Sequence, residues 1–299
     1  MGFRSHDSTL PASCTRARHK DRKHHDRSVV TQHFPIRSLA NIERLEETPL
    51  EQALPVTSTY EIFCQSARLF GDKTALAFLR TADPAIEPIH WSYNHLLASI
   101  HQTANLLNSL DMRPNEAIAV LLPGCLEYHL ALWGGEAAGI VLPLNPLLSD
   151  EKLVSLMRLA GASVLIAYGA EADANIWSKA MRIRDQVPTL HHVLRVAPHD
   201  EPVEARPTLP EAVLDLNALR AQHADDRLVS GRQIAANDIA AYFHTGGTTG
   251  DPQLARHSHG AQVFTAWASV QMQGLSRSDV MINGFPQLGQ WDPLERPNP

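Results

Sequence analysis

Four short apolar runs, at residues 117–122, 140–144, 163–168 and 192–196, set the main limit on how this 299-residue chain can fold. Each has the length of a strand, and a helical stretch stands in each gap. Residues 126–138 read as an amphipathic helix, with Gly139 as its natural stop. Ser149 is placed to cap a second helix, with Asp150 and Glu151 set favourably against its dipole and Gly161 at its end. A third helix is expected around 173–186. Strands separated by helices of this length imply βαβ units, so the expected fold class is α/β, with mostly parallel sheets flanked by helices.

The most specific stretch lies further on. Residues 239–243 are apolar, Leu254 and Ala255 form a short run, and between them Thr245, Gly246, Gly247, Thr248, Thr249 and Gly250 are three threonines and three glycines in six positions. The expectation is strand, tight loop, strand. Glycines let the backbone reach positive φ and approach a ligand closely. Successive N–H groups in such a bend make a concave anion site, and threonine hydroxyls add donors for phosphate oxygens. The chemistry implied is polyphosphate binding, with Mg²⁺ arriving on the phosphates. A Walker A loop is excluded, because counting from Gly246 or Gly247 reaches Asp251 or Pro252 where Gly-Lys is required. A dinucleotide fingerprint is excluded by the adjacent glycines and by Pro252. A plain hairpin turn favours the same residue types but does not require three threonines.

This loop resembles the phosphate-binding signature of the AMP-forming adenylating superfamily. The flanks Tyr242-Phe243-His244 and Leu254-Ala255-Arg256-His257-Ser258-His259 resemble its fatty-acyl-CoA synthetase branch. Trp91-Ser92-Tyr93 and the segment at 132–145 resemble two structural motifs of the same family. The resemblance implies ATP, Mg²⁺, CoA and a carboxylic acid, by these flanks a fatty acid, as the ligands of the parent activity. It implies that Thr245, Thr248, Thr249 and the N–H groups of Gly246, Gly247 and Gly250 hold the pyrophosphate half of ATP. Gln253 stands where the family usually has lysine. A neutral amide donates to phosphate without charge assistance, which is roughly twofold weaker per bond, so reduced nucleotide affinity is expected.

The resemblance runs from about residue 57 to residue 286, and the expected organisation follows from it. Residues 1–50 form a basic, His-rich tail without regular structure. Residues 51–286 are a partial AMP-binding domain carrying a surface insertion at about 197–232, and residues 287–299 are an irregular, proline-rich end. The family's ribose-binding aspartate and adenylation lysine have no counterpart, so no catalytic residue and no metal-ligating residue is assigned. The expected function is that of a truncated acyl-CoA synthetase. The alternative is an inactive nucleotide-binding remnant, or one half of a split enzyme with a complementing C-terminal polypeptide.

Charge and composition narrow the rest. Residues 1–28 carry seven Lys or Arg against three Asp, a net +4, so the remainder carries −10 of the total −6. That tail lacks the apolar core of a secretory signal, and a solvated arm is expected rather than a nucleic-acid site. No apolar run approaches the roughly 20 residues that span a bilayer. Three widely spaced cysteines argue against a zinc site or a disulfide framework, and a cytoplasmic location fits.

Smaller elements complete the reading. Helices are expected over 57–70, with Thr57 or Ser58 as cap, and from Ser92 to about residue 110, with Leu96, Leu97, Ile100, Ala104 and Leu107 as its apolar stripe. A strand is expected over 74–79, a helix near 214–222, and a helix over 260–273. His257 and His259 read as hydrogen-bonded polar residues beside the loop, or as neighbours of the acyl or phosphate site. Another strand is expected to begin at Asp279.

Overall fold

The computed structural model describes residues 36–81, 83–169, 175–198, 201, 208–210, 212–245 and 253–283. In chain order the elements are α1 Leu39–Glu46, α2 Leu50–Ala53, α3 Thr59–Phe70, β1 Thr74–Phe78, β2 Ile89–Ser92, α4 Tyr93–Ser109, β3 Ala117–Leu121, α5 Leu126–Ala138, β4 Ile140–Pro143, α6 Asp150–Ala160, β5 Ala162–Tyr168, α7 Ile176–Ile183, β6 His192–Val196, β7 Val213–Asp215, α8 Leu216–Arg220, β8 Ile239–His244, β9 Leu254–Ser258 and α9 His259–Gln273.

Seven strands form one sheet in the order β7-β6-β5-β3-β4-β8-β9, and β1 and β2 form a separate antiparallel pair. All neighbours in the large sheet run parallel except β8 and β9. Alternation along the strands divides the core into two layers. Ile118, Val120, Val164, Ile166 and Leu194 face α4, α5 and α8. Ala117, Ala119, Leu121, Leu165 and Val193 face α6 and α7. Strands covered on both faces must be apolar at every position, and β3 is buried along its whole length.

Local chemistry sets the helix ends. Ser58, Ser92, Ser149 and Ser258 each accept an N–H from the residue three positions on, which satisfies one orphan donor of the first turn. Gly161 closes α6 in the left-handed region at φ 65°. The expected helix over 173–186 is shorter in its described part, running from Ile176 to Ile183 and then tightening into a 3₁₀ turn.

Four expectations change. The reading of residues 1–50 as a tail without regular structure does not hold at its end, where Leu39–Glu46 forms α1. The surface reading of residues 197–232 does not hold for their second half. Val213–Asp215 pairs with β6 as an edge strand, and Leu216 and Leu228 are buried in the core. The expected strand from Asp279 does not form through Asn283, where no neighbouring strand supplies a ladder and Val280, Met281 and Ile282 stand exposed. α5 is not half-solvated as an amphipathic helix would be, because ten of its thirteen residues are buried. Of the two described cysteines, Cys125 is free and Cys64 is disulfide-bonded.

Candidate functional site

The glycine–threonine stretch is carried by β8 and β9. β8 lies beside β4 in parallel, with Val141 opposite Ala241, so it points the same way as β3, β5 and β6. The connection to β9 therefore leaves the sheet at the carboxyl ends of its parallel strands. Open α/β sheets bind ligands in the crevice outside those ends. β8 and β9 then pair in antiparallel fashion from His244 opposite Leu254 back to Ile239 opposite Ser258.

Two of the seven expected site residues, Thr245 and Gln253, form the neck. The Thr245 N–H donates to the Gln253 carbonyl at 3.0 Å, which adds one rung beyond the last strand pair. Gly246, Gly247, Thr248, Thr249 and Gly250 lie outside the described residues. Just inside the neck, His244 is 7% exposed, its Nε2 has no hydrogen-bond partner among the described residues, and burial pulls its imidazole below the usual range. On the opposite face Phe243 meets the His257 ring edge-on, with centroids 4.9 Å apart.

Behind the neck, β9 runs into α9 without an intervening loop. The His259 N–H donates to the Asp238 carbonyl at 3.0 Å, and the Gly260 N–H to the Ala236 carbonyl at 2.9 Å. The approach is close: a Cβ on Gly260 would sit 3.0 Å from the Ala236 Cβ and 3.1 Å from its carbonyl oxygen, so a side chain there would press on the turn. The first turn of α9 thus rests on the turn that leads into β8.

A buried polar cluster underlies the same turn. Glu136 of α5 is 1% exposed and His259 is 0% exposed. Thr59 Oγ1 donates to Glu136 Oε2 at 2.8 Å, and Gln262 Nε2 donates to Glu136 Oε1 at 2.9 Å. His259 Nδ1 lies 2.9 Å from Thr59 Oγ1. Arg232 Nη1 donates to the main-chain carbonyls of Glu136 and Ala137, at 3.2 Å each. Burial pushes the Glu136 carboxyl up to about 7, although the Gln262 and Thr59 bonds favour its ionised form. Burial, reinforced by Arg232, pulls the His259 imidazole down to about 4, against Asp238 and the Glu136 carbonyl. His259 is therefore a neutral, hydrogen-bonded group at neutral pH, in line with the simpler of its two sequence readings.

Sequence reasoning missed Glu136 and Thr59. The signal for Glu136 was present, as a single acidic residue inside the apolar segment at 132–144. Its partners were not readable, because Thr59 and Gln262 lie 77 and 126 residues away in the chain. Among the described residues no group of three His, Cys, Asp or Glu side chains gathers to hold a metal, and no helix is long and apolar enough to cross a membrane.

Comparison with known proteins places this geometry in a family context. Residues 63–288 match the family model described as AMP-binding enzyme. The chain is 26% identical over 233 residues to marinolic acid–CoA ligase of Pseudoalteromonas sp. (strain SANK 73390), covering 77% of this chain and 34% of that protein. It is 29% identical over 224 residues to crotonobetaine/carnitine–CoA ligase of Salmonella arizonae (strain ATCC BAA-731 / CDC346-86 / RSK2980), covering 74% of this chain and 40% of that protein. Among solved structures it is similar to the anthranilate CoA ligase AuaEII in complex with anthranoyl-AMP. That match has a TM-score of 0.56 and 20% identity, and covers 72% of this chain and 36% of the other. The chain thus spans 34% to 40% of the length of these proteins.

Proposed function

Since this chain belongs to the AMP-binding enzyme family, we propose that its hairpin grips the polyphosphate of ATP in the AMP-forming activation of a carboxylic acid. Residues 51–286 are taken as the partial AMP-binding domain. The neck formed by Thr245 and Gln253, at the carboxyl ends of the parallel strands, is the observation that carries this reading. The bend at Gly246, Gly247, Thr248, Thr249 and Gly250 supplies main-chain N–H groups and hydroxyls to the leaving pyrophosphate. Gln253 takes the place of a cationic side chain at its exit.

In this reading a carboxylate oxygen attacks the α-phosphorus of ATP, and the bond to pyrophosphate breaks. The products are acyl-AMP and pyrophosphate. CoA then displaces AMP to give the thioester. Little covalent work falls to the protein, so positioning and charge neutralisation carry the rate. Mg²⁺ supplies charge neutralisation on the phosphates, which it reaches as part of the nucleotide rather than in a dedicated protein cage. The fatty-acid assignment rests on the flanks Tyr242-Phe243-His244 and residues 254–259, and a cytoplasmic location belongs to the same reading.

Titration calorimetry of the full chain with Mg-ATP tests this proposal. Binding is expected, and Gln253→Lys is expected to tighten it by about fivefold to tenfold, the gain of one charge-assisted bond. Absence of heat with both proteins would overturn it.

A second reading is favoured by the exposed apolar residues Val280, Met281 and Ile282. On this reading the chain binds nucleotide without catalysing ligation, and its exposed face packs on a complementing polypeptide that carries the remaining family motifs. Thioester formation by the purified chain alone would remove it.

A further inference from the structure

The returning arm of the hairpin has a mechanical problem. Among the described residues β9 is the edge strand of the sheet and is bonded only on its β8 side. It is also short, and α9 follows at once. Something other than the sheet must set where this arm and its helix lie.

The contacts around Glu136 supply that support from both ends of the hairpin. On the exit side, the carboxylate holds Gln262 directly and His259 through Thr59, so two residues of the first turn of α9 hang on one side chain of α5. On the entry side, the main-chain carbonyls of Glu136 and Ala137 hold Arg232. Arg232 precedes the turn in which the Asp238 N–H reaches the Ala235 carbonyl at 3.1 Å and Asp238 Oδ2 accepts the Ala235 N–H at 3.0 Å. That turn leads into β8 and also receives the His259 and Gly260 N–H groups. The loop of contacts closes: α5, entry turn, α9, and back to α5 through Glu136.

We propose that Glu136 is the positioning residue of the glycine–threonine hairpin, its side chain fixing the exit arm and its main chain the entry arm. The proposal deepens the nucleotide reading but does not depend on it. The hydrogen bonds of Glu136 go to Thr59, Gln262 and Arg232 rather than to Thr245 or Gln253, so its role is orientation rather than chemistry.

The direction of hydrogen bonding gives the clamp a proton dependence. Thr59 has one hydroxyl proton. When it is given to an ionised Glu136, Thr59 Oγ1 accepts from His259 Nδ1–H, and His259 Nε2 carries a bare lone pair. When Glu136 is protonated, its own O–H can donate to Thr59, and Thr59 can donate to Nδ1 instead. The titratable or charged groups bearing on the cluster are Tyr128 on α5, His259 on α9, and Arg232 and Asp238 ahead of β8. The folded carboxyl keeps its proton to about pH 7, whereas an unfolded one loses it near 4.5. This group alone therefore makes the fold lose stability as pH rises from 4.5 to about 7. His259 acts oppositely. It stays neutral in the fold down to about 4 but charges below 6.5 when unfolded, so its contribution is lost as pH falls through that window.

Amide hydrogen exchange on the full chain tests the proposal, with the wild type, Glu136→Gln, Glu136→Ala, Thr59→Ser and Thr59→Val compared on either side of pH 7. Glu136→Ala and Thr59→Val are expected to lower protection at Thr245, His259, Gly260 and Ala261 by about tenfold or more, the scale of losing a buried hydrogen bond, while β5 and β6 keep theirs. Thr59→Ser should restore protection. Glu136→Gln should keep protection and remove its pH dependence. An equal loss at β5 and β6 would mean a merely structural role and overturn the proposal, as would unchanged protection at the hairpin. If Glu136→Ala does not fold, Glu136→Gln decides alone: a hairpin whose protection keeps the wild-type pH dependence overturns the proposal. Titration of the same proteins with Mg-ATP separates the two claims. Protection that responds as stated with no Mg-ATP binding supports the clamp and removes the nucleotide reading.

Discussion

α5 and α9 are built from similar material and sit in different surroundings. Both are rich in alanine, both carry a tryptophan, and both follow a strand of the large sheet. α5 crosses from β3 to β4 in the middle of the sheet and buries ten of thirteen residues against α3, α4 and the strands. α9 follows the edge strand and buries only His259, Val263 and Gln271. Its Phe264 and Met272 are 46% and 74% exposed, and Val280 and Ile282 beyond it are 89% and 87% exposed. Composition does not account for the contrast; position in the sheet order does. A central crossover is covered from all sides, whereas a helix after an edge strand has one packed stripe and an open face. Such an open face leaves apolar side chains in solvent.

The largest effect should come from truncating α5. Leu130 is fully buried, and Leu130→Ala is expected to cost about 2–5 kcal/mol in urea unfolding, through lost transfer energy and the cavity left behind. Phe264→Ala on α9 removes more atoms and should cost less than about 1 kcal/mol. If the two losses are equal, α9 is packed in solution and the comparison fails.

A smaller effect should follow from adding one methyl group to α5. A Cβ on Gly134 would meet the Thr103 Cβ of α4 at 2.7 Å, and α4 cannot retreat without opening the core. Gly134→Ala is expected to cost about 1–3 kcal/mol despite the better helix propensity of alanine. A thermal midpoint that rises would show that the two helices are less tightly apposed.

The smallest change in stability should come from the double substitution Phe264→Ser with Met272→Ser, within about 0.5–1 kcal/mol of the wild type. Its effect should be read instead in binding of a hydrophobic dye, which is expected to fall. Unchanged dye binding would place the sticky surface elsewhere, with residues 280–282 next to be replaced.

How much was legible in the residues depends on how far apart the interacting groups are. Caps at Ser58, Ser92 and Ser149, stops at Gly139 and Gly161, and the strands at 117–122 and 192–196 depend on neighbours a few positions away, and the structure reproduces them. The hairpin neck was equally local. The buried state of α5 was not, because periodicity reports which residues are apolar and not how many surfaces close over them. Val213–Asp215 has strand length only because β6 offers it a free edge. The run after Asp279 has strand composition, yet through Asn283 it joins none of the described strands.

The order of residues alone determined the class of fold, most helix caps and stops, and the two strands that carry the glycine–threonine stretch, since all of these follow from short-range sterics, hydrogen bonding and apolar periodicity. Only the tertiary structure decided that one carboxylate on α5 would meet Thr59, His259 and Gln262, that α5 would be enclosed while α9 stayed open, and that both arms of the hairpin would be tied to the same helix. Those outcomes depend on contacts between segments about a hundred residues apart, where burial changes the proton affinity and the partners of a group without leaving any mark in its local sequence.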